Sequence, residues 1–286
     1  SMAEDRLNSA YKDRFEVILR DAISRETVYG QGNVPSLAKY LRGIFLDAGF
    51  EKSAVTLIPY GETASLLVRL NGNNQSARQP ILFAAHMDVV PADSSDWERD
   101  PFELQQNDEF FFGRGVLDNK FDVSILTTLF IFLKETNFVP NRDLVIAFTG
   151  DEESFQETIQ QLVRDYRYLI DAEYAFVVDD AGGVLNDQGK ATYHQIGLAE
   201  KTYATFSITA KNQGGHSSMP RADNAIFDLA KALQAIEMHR FPVEFNEITL
   251  TYFERTAPSL SDEIGDAMRK LVADNTDQAA INILRN

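Results

Sequence analysis

The run Pro80-Ile81-Leu82-Phe83-Ala84-Ala85-His86-Met87-Asp88 closes on a histidine and an aspartate two positions apart. In an extended chain those positions project to the same side, so the carboxylate can orient the imidazole while the other ring nitrogen binds a metal. The pair is equally compatible with a strand-end turn held by a structural His–Asp hydrogen bond. Further carboxylates follow: Asp118 after Gly113-Arg114-Gly115, the run Asp151-Glu152-Glu153, and Asp179-Asp180. Hydrolysis of an amide by water needs an activated water, a base for its proton and positive charge for the developing oxyanion. Two metals about 3.5–4 Å apart supply much of this when a carboxylate bridges them. His86, Asp118, Glu153 and one of Asp179 or Asp180 are the candidate ligands. Adjacent Glu152 and Glu153 can differ in environment, one on metal and the other free as base. Taken singly, Asp151-Glu152-Glu153 also reads as the acidic first turn of a helix.

These groups need a scaffold that gathers them. An apolar run without polar alternation suits a central strand covered on both faces, and in such sheets ligands collect at the carboxyl ends. The run at 143–148 is similar and ends in Thr149-Gly150-Asp151, and 175–178 ends in the aspartate pair. Three strand ends bearing histidine or acid are the strongest physical signal in the chain. Helical spacing at 4–23, 34–46 and 123–133, and a helix after the glutamates to about 168, alternate with these strands and with 55–58, 65–70 and 109–112. The pattern predicts an α/β domain with a mostly parallel sheet flanked by helices. Past Ile196-Gly197 it changes. A long alternating strand is predicted at 201–210, then a helix through Ala225, Leu229, Leu233 and Ile236, a strand at 247–253 and a helix at 264–272. The expected division is a metal-binding domain, 4–197, and a smaller α+β unit, 198–286.

Composition narrows the classes. With 44% hydrophobic and 24% charged residues, the 286-residue chain reads as an ordinary globular protein, expected to be cytoplasmic. The absence of cysteine leaves histidine and carboxylate as the metal ligands. A net charge of −16 argues against nucleic acid or an anionic membrane as partner. Nucleotide binding through Gly113-Arg114-Gly115 lacks the third glycine that such a loop requires.

In order along the chain, His86-Met87-Asp88-Val89-Val90-Pro91, Trp97 with Pro101-Phe102, Gly113-Arg114-Gly115 with Asp118 and Lys120, Glu152-Glu153, and Gly215-His216-Ser217-Ser218-Met219-Pro220 resemble the co-catalytic zinc exopeptidase and deacylase family. That family contains carboxypeptidase G, aminoacylase, carboxypeptidase S and succinyl-diaminopimelate desuccinylase. The resemblance implies metal-dependent hydrolysis of a small peptide or N-acyl amino acid, with two zincs per active site and cobalt or manganese as alternatives. It implies that His86 binds the first metal, Asp88 orients it, Asp118 bridges both metals, Glu152 is the general base and Glu153 binds the second metal. Alignment on the following glycines favours Asp180 over Asp179 as the other first-metal ligand. His216 would stabilise the oxyanion from a lid domain that also forms a homodimer; residues alone make it an exposed loop histidine.

Three departures qualify the expectation. Asn119 stands where the family has a second aspartate, at a peptide bond that is often cis. Ser154-Phe155 replaces a small, glycine-containing run. The family's final metal-binding histidine, after the lid, has no counterpart before Asn286, so both domains are expected to be incomplete and the second metal weakly held, with little hydrolysis by this chain alone. The alternative is a catalytically silent or truncated relative acting as a binding or assembly module. Dipeptidase, carboxypeptidase and deacylase activities stay open.

Overall fold

The computed structural model describes residues 2–73, 77–179 and 182–285. The chain forms two compact units, Ser1–Ala181 and Gly182–Asn286. The first is built from helices α1 (Met2–Ile23) and α2 (Val34–Asp47), strands β1 (Val55–Tyr60), β2 (Thr63–Leu70) and β3 (Ile81–His86), and the two-residue strands β4 (Gln105–Gln106) and β5 (Phe111–Phe112). Helix α3 (Lys120–Glu135), strand β6 (Leu144–Thr149), helices α4 (Glu157–Asp165) and α5 (Arg167–Ile170), and strand β7 (Tyr174–Val177) follow.

The main sheet has the order β1-β2-β6-β3-β7. Only β2 opposes the common direction: it is antiparallel to β1 and β6, while β3 is parallel to both β6 and β7. Strand periodicity divides the core. Leu66, Val68, Leu70, Ile146 and Phe148 face one side, where Leu37, Leu41 and Phe45 of α2 and Val123, Leu126 and Phe130 of α3 cover them. Leu67, Leu82, Val145 and Ala147 face the other side, under Leu162 of α4 and Ile170 of α5. Each such fully buried side chain contributes about 1.5–3 kcal/mol relative to exposure. The expected mostly parallel sheet with helices on both faces is therefore what the chain builds.

Strand β7 departs from the expected third buried strand. It terminates the sheet order, and Tyr174, Phe176 and Val177 are exposed. Apolar content signals a strand, but an edge position leaves part of it uncovered. Phe176 still stacks on Phe83 at 5.8 Å between ring centroids.

The second unit holds a hairpin of β8 (Gly183–Leu185) and β9 (Ala191–His194) and helices α6 (Ala225–Met238), α7 (Glu247–Thr256), α8 (Glu263–Ala273) and α9 (Gln278–Arg285). Its core is Ala267, Leu271, Ala280 and Ile281, with Phe245 and Phe253 packed against it. The residue 197/198 division expected from the sequence falls inside this unit. The segment 201–210, expected as a strand, has no regular secondary structure and pairs with no strand among the described residues. The strand expected at 247–253 is helix α7. Its β-branched and aromatic residues favour a strand only weakly, and the Asn246 side chain caps a helix by accepting from the Thr249 amide at 2.8 Å. Among the described residues no helix is long and apolar enough to cross a membrane.

Candidate metal centre

Strand order brings the polar ends together. Because β3 lies between β6 and β7, His86 at its end has neighbours on both sides. It is paired with Thr149, and the Met87 amide donates to the Thr149 carbonyl at 2.8 Å, which sets Asp88 beside the turn that follows β6. Gly150 is required there, since a Cβ would collide with Thr63 Oγ1 and the Ala64 carbonyl. On the other side the Val178 amide donates to the Ala84 carbonyl at 2.8 Å, bringing Asp179 to the same edge.

His86 is buried, with 2% of its surface exposed. Its Nδ1 lies 2.9 Å from the backbone carbonyl of Asp88 and 3.4 Å from Asp88 Oδ1. Both neighbours accept hydrogen bonds, so Nδ1 carries the proton and Nε2 is left as the ligating atom. Around Nε2 stand Asp118 Oδ1 at 2.8 Å, Asp179 Oδ1 at 3.3 Å and Glu152 Oε2 at 4.0 Å. Two overlapping groups, His86 with Glu152 and Asp179 and His86 with Asp118 and Glu153, each bring one ligand atom per residue within 4.8 Å of the others. One imidazole surrounded by carboxylate oxygens is a donor set that suits zinc, cobalt or manganese.

Asp88 has a second function in the geometry. Its carboxylate accepts the backbone amides of Glu152 at 3.0 Å and Glu153 at 2.9 Å, locking the glutamate turn to the end of β3. The acidic run is therefore not the first turn of α4, which begins at Glu157. Asp151 caps that helix from a distance, accepting from the amides of Glu157 at 2.7 Å and Thr158 at 3.0 Å and from the Thr158 hydroxyl.

Two residues beside Asp118 do work that composition and spacing did not reveal. The Asp118–Asn119 peptide is cis. Asn119 is fully buried: its Oδ1 accepts from the His86 amide at 2.9 Å, and its Nδ2 donates to Asp122 Oδ2 and to the Val178 carbonyl, both at 2.8 Å. It thus joins the ends of β3 and β7 to the start of α3. Lys120, also fully buried, donates from Nζ to the carbonyls of Ala22 at 2.8 Å and Arg25 at 2.7 Å. The apparent signal for both was their place after a candidate ligand at a helix start.

Charge crowding shifts the protonation of the cluster. Burial opposes charge on His86, but hydrogen bonds to Asp179 and Asp88 outweigh it and push the imidazole up to about 11. Burial and then Asp118 raise Glu153 to about 7, with His86 opposing. Glu152 is raised by burial and by Asp179, Asp88 and Asp118, again against His86. Burial and Asp179 raise Asp122 to about 6, and burial and Arg25 lower Lys120 to about 7. A cluster that gathers this much carboxylate around one imidazole could hold a cation.

The sequence-derived candidates His86, Asp88, Asp118, Glu152 and Glu153 thus converge, with Asp179 among them. Asp180, preferred by the resemblance, lies outside the described residues. His216 belongs to the second unit, where its Nδ1 accepts from the Ser218 amide at 3.2 Å and lies 2.8 Å from the Ser218 hydroxyl.

Known proteins share sequence and fold with this chain. The family model described as Peptidase family M20/M25/M40 matches residues 82–283. The chain is 32% identical over 192 residues to human N-fatty-acyl-amino acid synthase/hydrolase PM20D1, a match covering 66% of this chain and 38% of that protein. It is also 32% identical over 189 residues to the probable carboxypeptidase S-like 1 of Dictyostelium discoideum, covering 63% of this chain and 38% of the relative. The chain therefore spans well under half the length of these curated relatives. Among solved structures, the di-peptidase Dug1p of Saccharomyces cerevisiae shares the fold with a TM-score of 0.52 at 22% identity, over 62% of this chain and 40% of that one. The metallo-carboxypeptidase Sso-CP2 of Sulfolobus solfataricus does so with a TM-score of 0.50 at 20% identity, over 62% and 39%.

Proposed function

The chain belongs to peptidase family M20/M25/M40, and from that premise we propose that its strand-end cluster is a metal centre for hydrolysis of an amide bond in a small peptide or N-acyl amino acid. The observation that carries the reading is the convergence of Asp118, Asp179 and the glutamate pair on His86 Nε2. His86, Asp118, Glu153 and Asp179 would hold zinc, Asp179 being taken because its Oδ1 lies 3.3 Å from His86 Nε2. A bound metal supplies Lewis acidity to the carbonyl and lowers the pKa of water.

The chain's own residues supply the rest. Asp88 orients His86 and fixes the glutamate turn. Glu152 Oε2 takes the proton of the attacking water as its oxygen bonds to the carbonyl carbon, then delivers that proton to the leaving nitrogen as the C–N bond breaks. For His216, resemblance alone supports an oxyanion-stabilising role. The names of the human and Dictyostelium relatives support N-acyl amino acids and peptides as the substrates to try. Homodimer formation through 198–286 completes the proposal and is read by sedimentation.

The test is turnover of the whole 286-residue chain on N-acyl amino acids and dipeptides with and without added zinc. Hydrolysis that needs zinc and falls about 10²–10⁴-fold in Glu152→Gln supports the assignment. Zinc binding without turnover, both in this chain and in a longer version that carries the family's final histidine, would instead support a binding or assembly module, the alternative that an intact Glu152 disfavours. Failure to bind zinc at all would overturn the metal centre.

A further inference from the structure

Gln156 occupies a position that neither helix capping nor backbone preference explains. It immediately precedes α4 with left-handed angles, φ 54° and ψ 29°, a conformation in which glycine and asparagine are the usual residues. Its side chain makes no capping hydrogen bond, and the cap is supplied by the Asp151 carboxylate. Burial does not account for it either, because the residue is exposed.

What the side chain does is fold back onto Glu152. Gln156 Nε2 lies 3.1 Å from Glu152 Oε1 and 3.3 Å from the Glu152 backbone carbonyl, so the amide nitrogen donates to both. The other carboxylate oxygen, Oε2, lies 4.0 Å from His86 Nε2, and Glu152 belongs to the group that includes Asp179. The two oxygens of Glu152 are therefore divided between an external amide and the cluster. The turn that presents them is held independently of this contact. Asp88 binds the amides of Glu152 and Glu153, the Gln156 amide donates to the Asp151 carbonyl at 2.9 Å, and Phe155 meets Tyr29 edge-on at 5.1 Å.

We propose that Gln156 is a positioning residue for Glu152: its side-chain amide holds Oε1, so that Oε2 is the atom presented to the centre to accept the proton. The inference rests on Glu152 being the general base. A glutamine suits the task because its donor nitrogen is neutral at every working pH and steers the carboxylate without adding charge to a crowded site. The strained backbone at 156 is the cost of aiming that nitrogen, in the way that unusual backbone angles gather at functional turns.

Two measurements on the whole chain test this. The first is a double-mutant cycle in chemical unfolding of the metal-free protein with Glu152→Ala, Gln156→Ala and both; it needs no turnover. A coupling of about fivefold in the unfolding constant is expected, and less than about twofold overturns the contact. The second is kinetic, with zinc present. Gln156→Ala, and Gln156→Glu with its carboxylate in place of the donor, are each expected to lower kcat about tenfold and to leave KM within about twofold, since a base that is misdirected binds substrate as before. Gln156→Gly should lower kcat equally while unfolding at the same or a higher denaturant concentration, because it relieves the left-handed strain. A purely structural role would instead move stability and activity together. Wild-type kcat in Gln156→Ala overturns the proposal. If Glu152→Gln keeps full turnover, the base assignment fails and the proposal falls with it, while the unfolding cycle still reports the contact separately; if the wild-type chain turns over too slowly to measure, the unfolding cycle alone decides, and a coupling under about twofold overturns the proposal.

Discussion

The Asp88 carboxylate accepts the backbone amide of Glu153 at 2.9 Å, so the side chain next to the imidazole ligand also fixes the turn that carries the other cluster residues. One group thus couples the ends of two parallel strands, with its second oxygen on the Glu152 amide at 3.0 Å.

Asp88→Ala should accordingly fail in two ways. It leaves two partly buried amides without their acceptor, at a cost of about 1–3 kcal/mol in urea unfolding. It also frees the glutamate turn, which is expected to weaken zinc binding about 10–100-fold by isothermal titration. Unchanged affinity would show that the turn is held by other contacts.

Metal binding should release protons in a pH-dependent number. With His86 raised to about 11 and Glu153 to about 7, both hold protons at pH 6, whereas at pH 8 only His86 does. A cation displaces about two protons at the lower pH and about one at the higher, so affinity rises with pH. For the metal-free chain the sign is the reverse. The folded state holds the Glu153 proton more tightly than the unfolded chain does, so that contribution to stability is full below 4.5 and lost as pH rises through about 7. Titrations in buffers of different ionisation enthalpy count the protons; an equal release at both pH values would contradict the assignment.

Asn119→Asp replaces the group that donates in two of its three contacts by an acceptor. The carboxylate would face the Val178 carbonyl and Asp122, both within 2.8 Å of the present Nδ2. A loss of about 1–3 kcal/mol is expected at neutral pH, measured by denaturant unfolding. Wild-type stability would mean that asparagine is incidental here.

Lys120→Met keeps the length of the side chain but removes the donor to the Ala22 and Arg25 carbonyls. Those carbonyls lie at the end of α1 and just beyond it; the Ala22 carbonyl keeps the Arg25 amide at 3.2 Å, but the Arg25 carbonyl loses the lysine donor, which should cost about 1–3 kcal/mol and speed amide exchange at the end of α1. Exchange unchanged in that segment would place the lysine's role elsewhere.

Much of this centre is legible in the sequence. His86 and the glutamate pair stand out because apolar runs lead into them and Asp118 because it follows Gly113-Arg114-Gly115, and their order along the chain carried the family resemblance. Less was legible where pairing decides the outcome. Residues 201–210 alternate as a strand would, yet a strand forms only when another lies beside it. Residues 247–253 have strand-favouring side chains, but the Asn246 cap and the packing of Phe253 on α8 and α9 select a helix. Gln156, Asn119 and Lys120 were invisible as positioning groups because their partners are defined by contacts, not by spacing.

The sequence by itself determined which strands would be apolar, which polar groups would stand at their ends, and that cysteine would play no part, since all of these are properties of residue type and local period. Tertiary structure alone decided that β3 lies between β6 and β7, which gives His86 carboxylates from both sides. It also decided that β7 is an exposed edge, that Asp88 serves the glutamate turn as well as the histidine, and that Asp179 stands at the cluster. The reason is that strand order and hydrogen-bond geometry depend on segments far apart in the chain, whose apolar surfaces find a common core only when the whole unit folds.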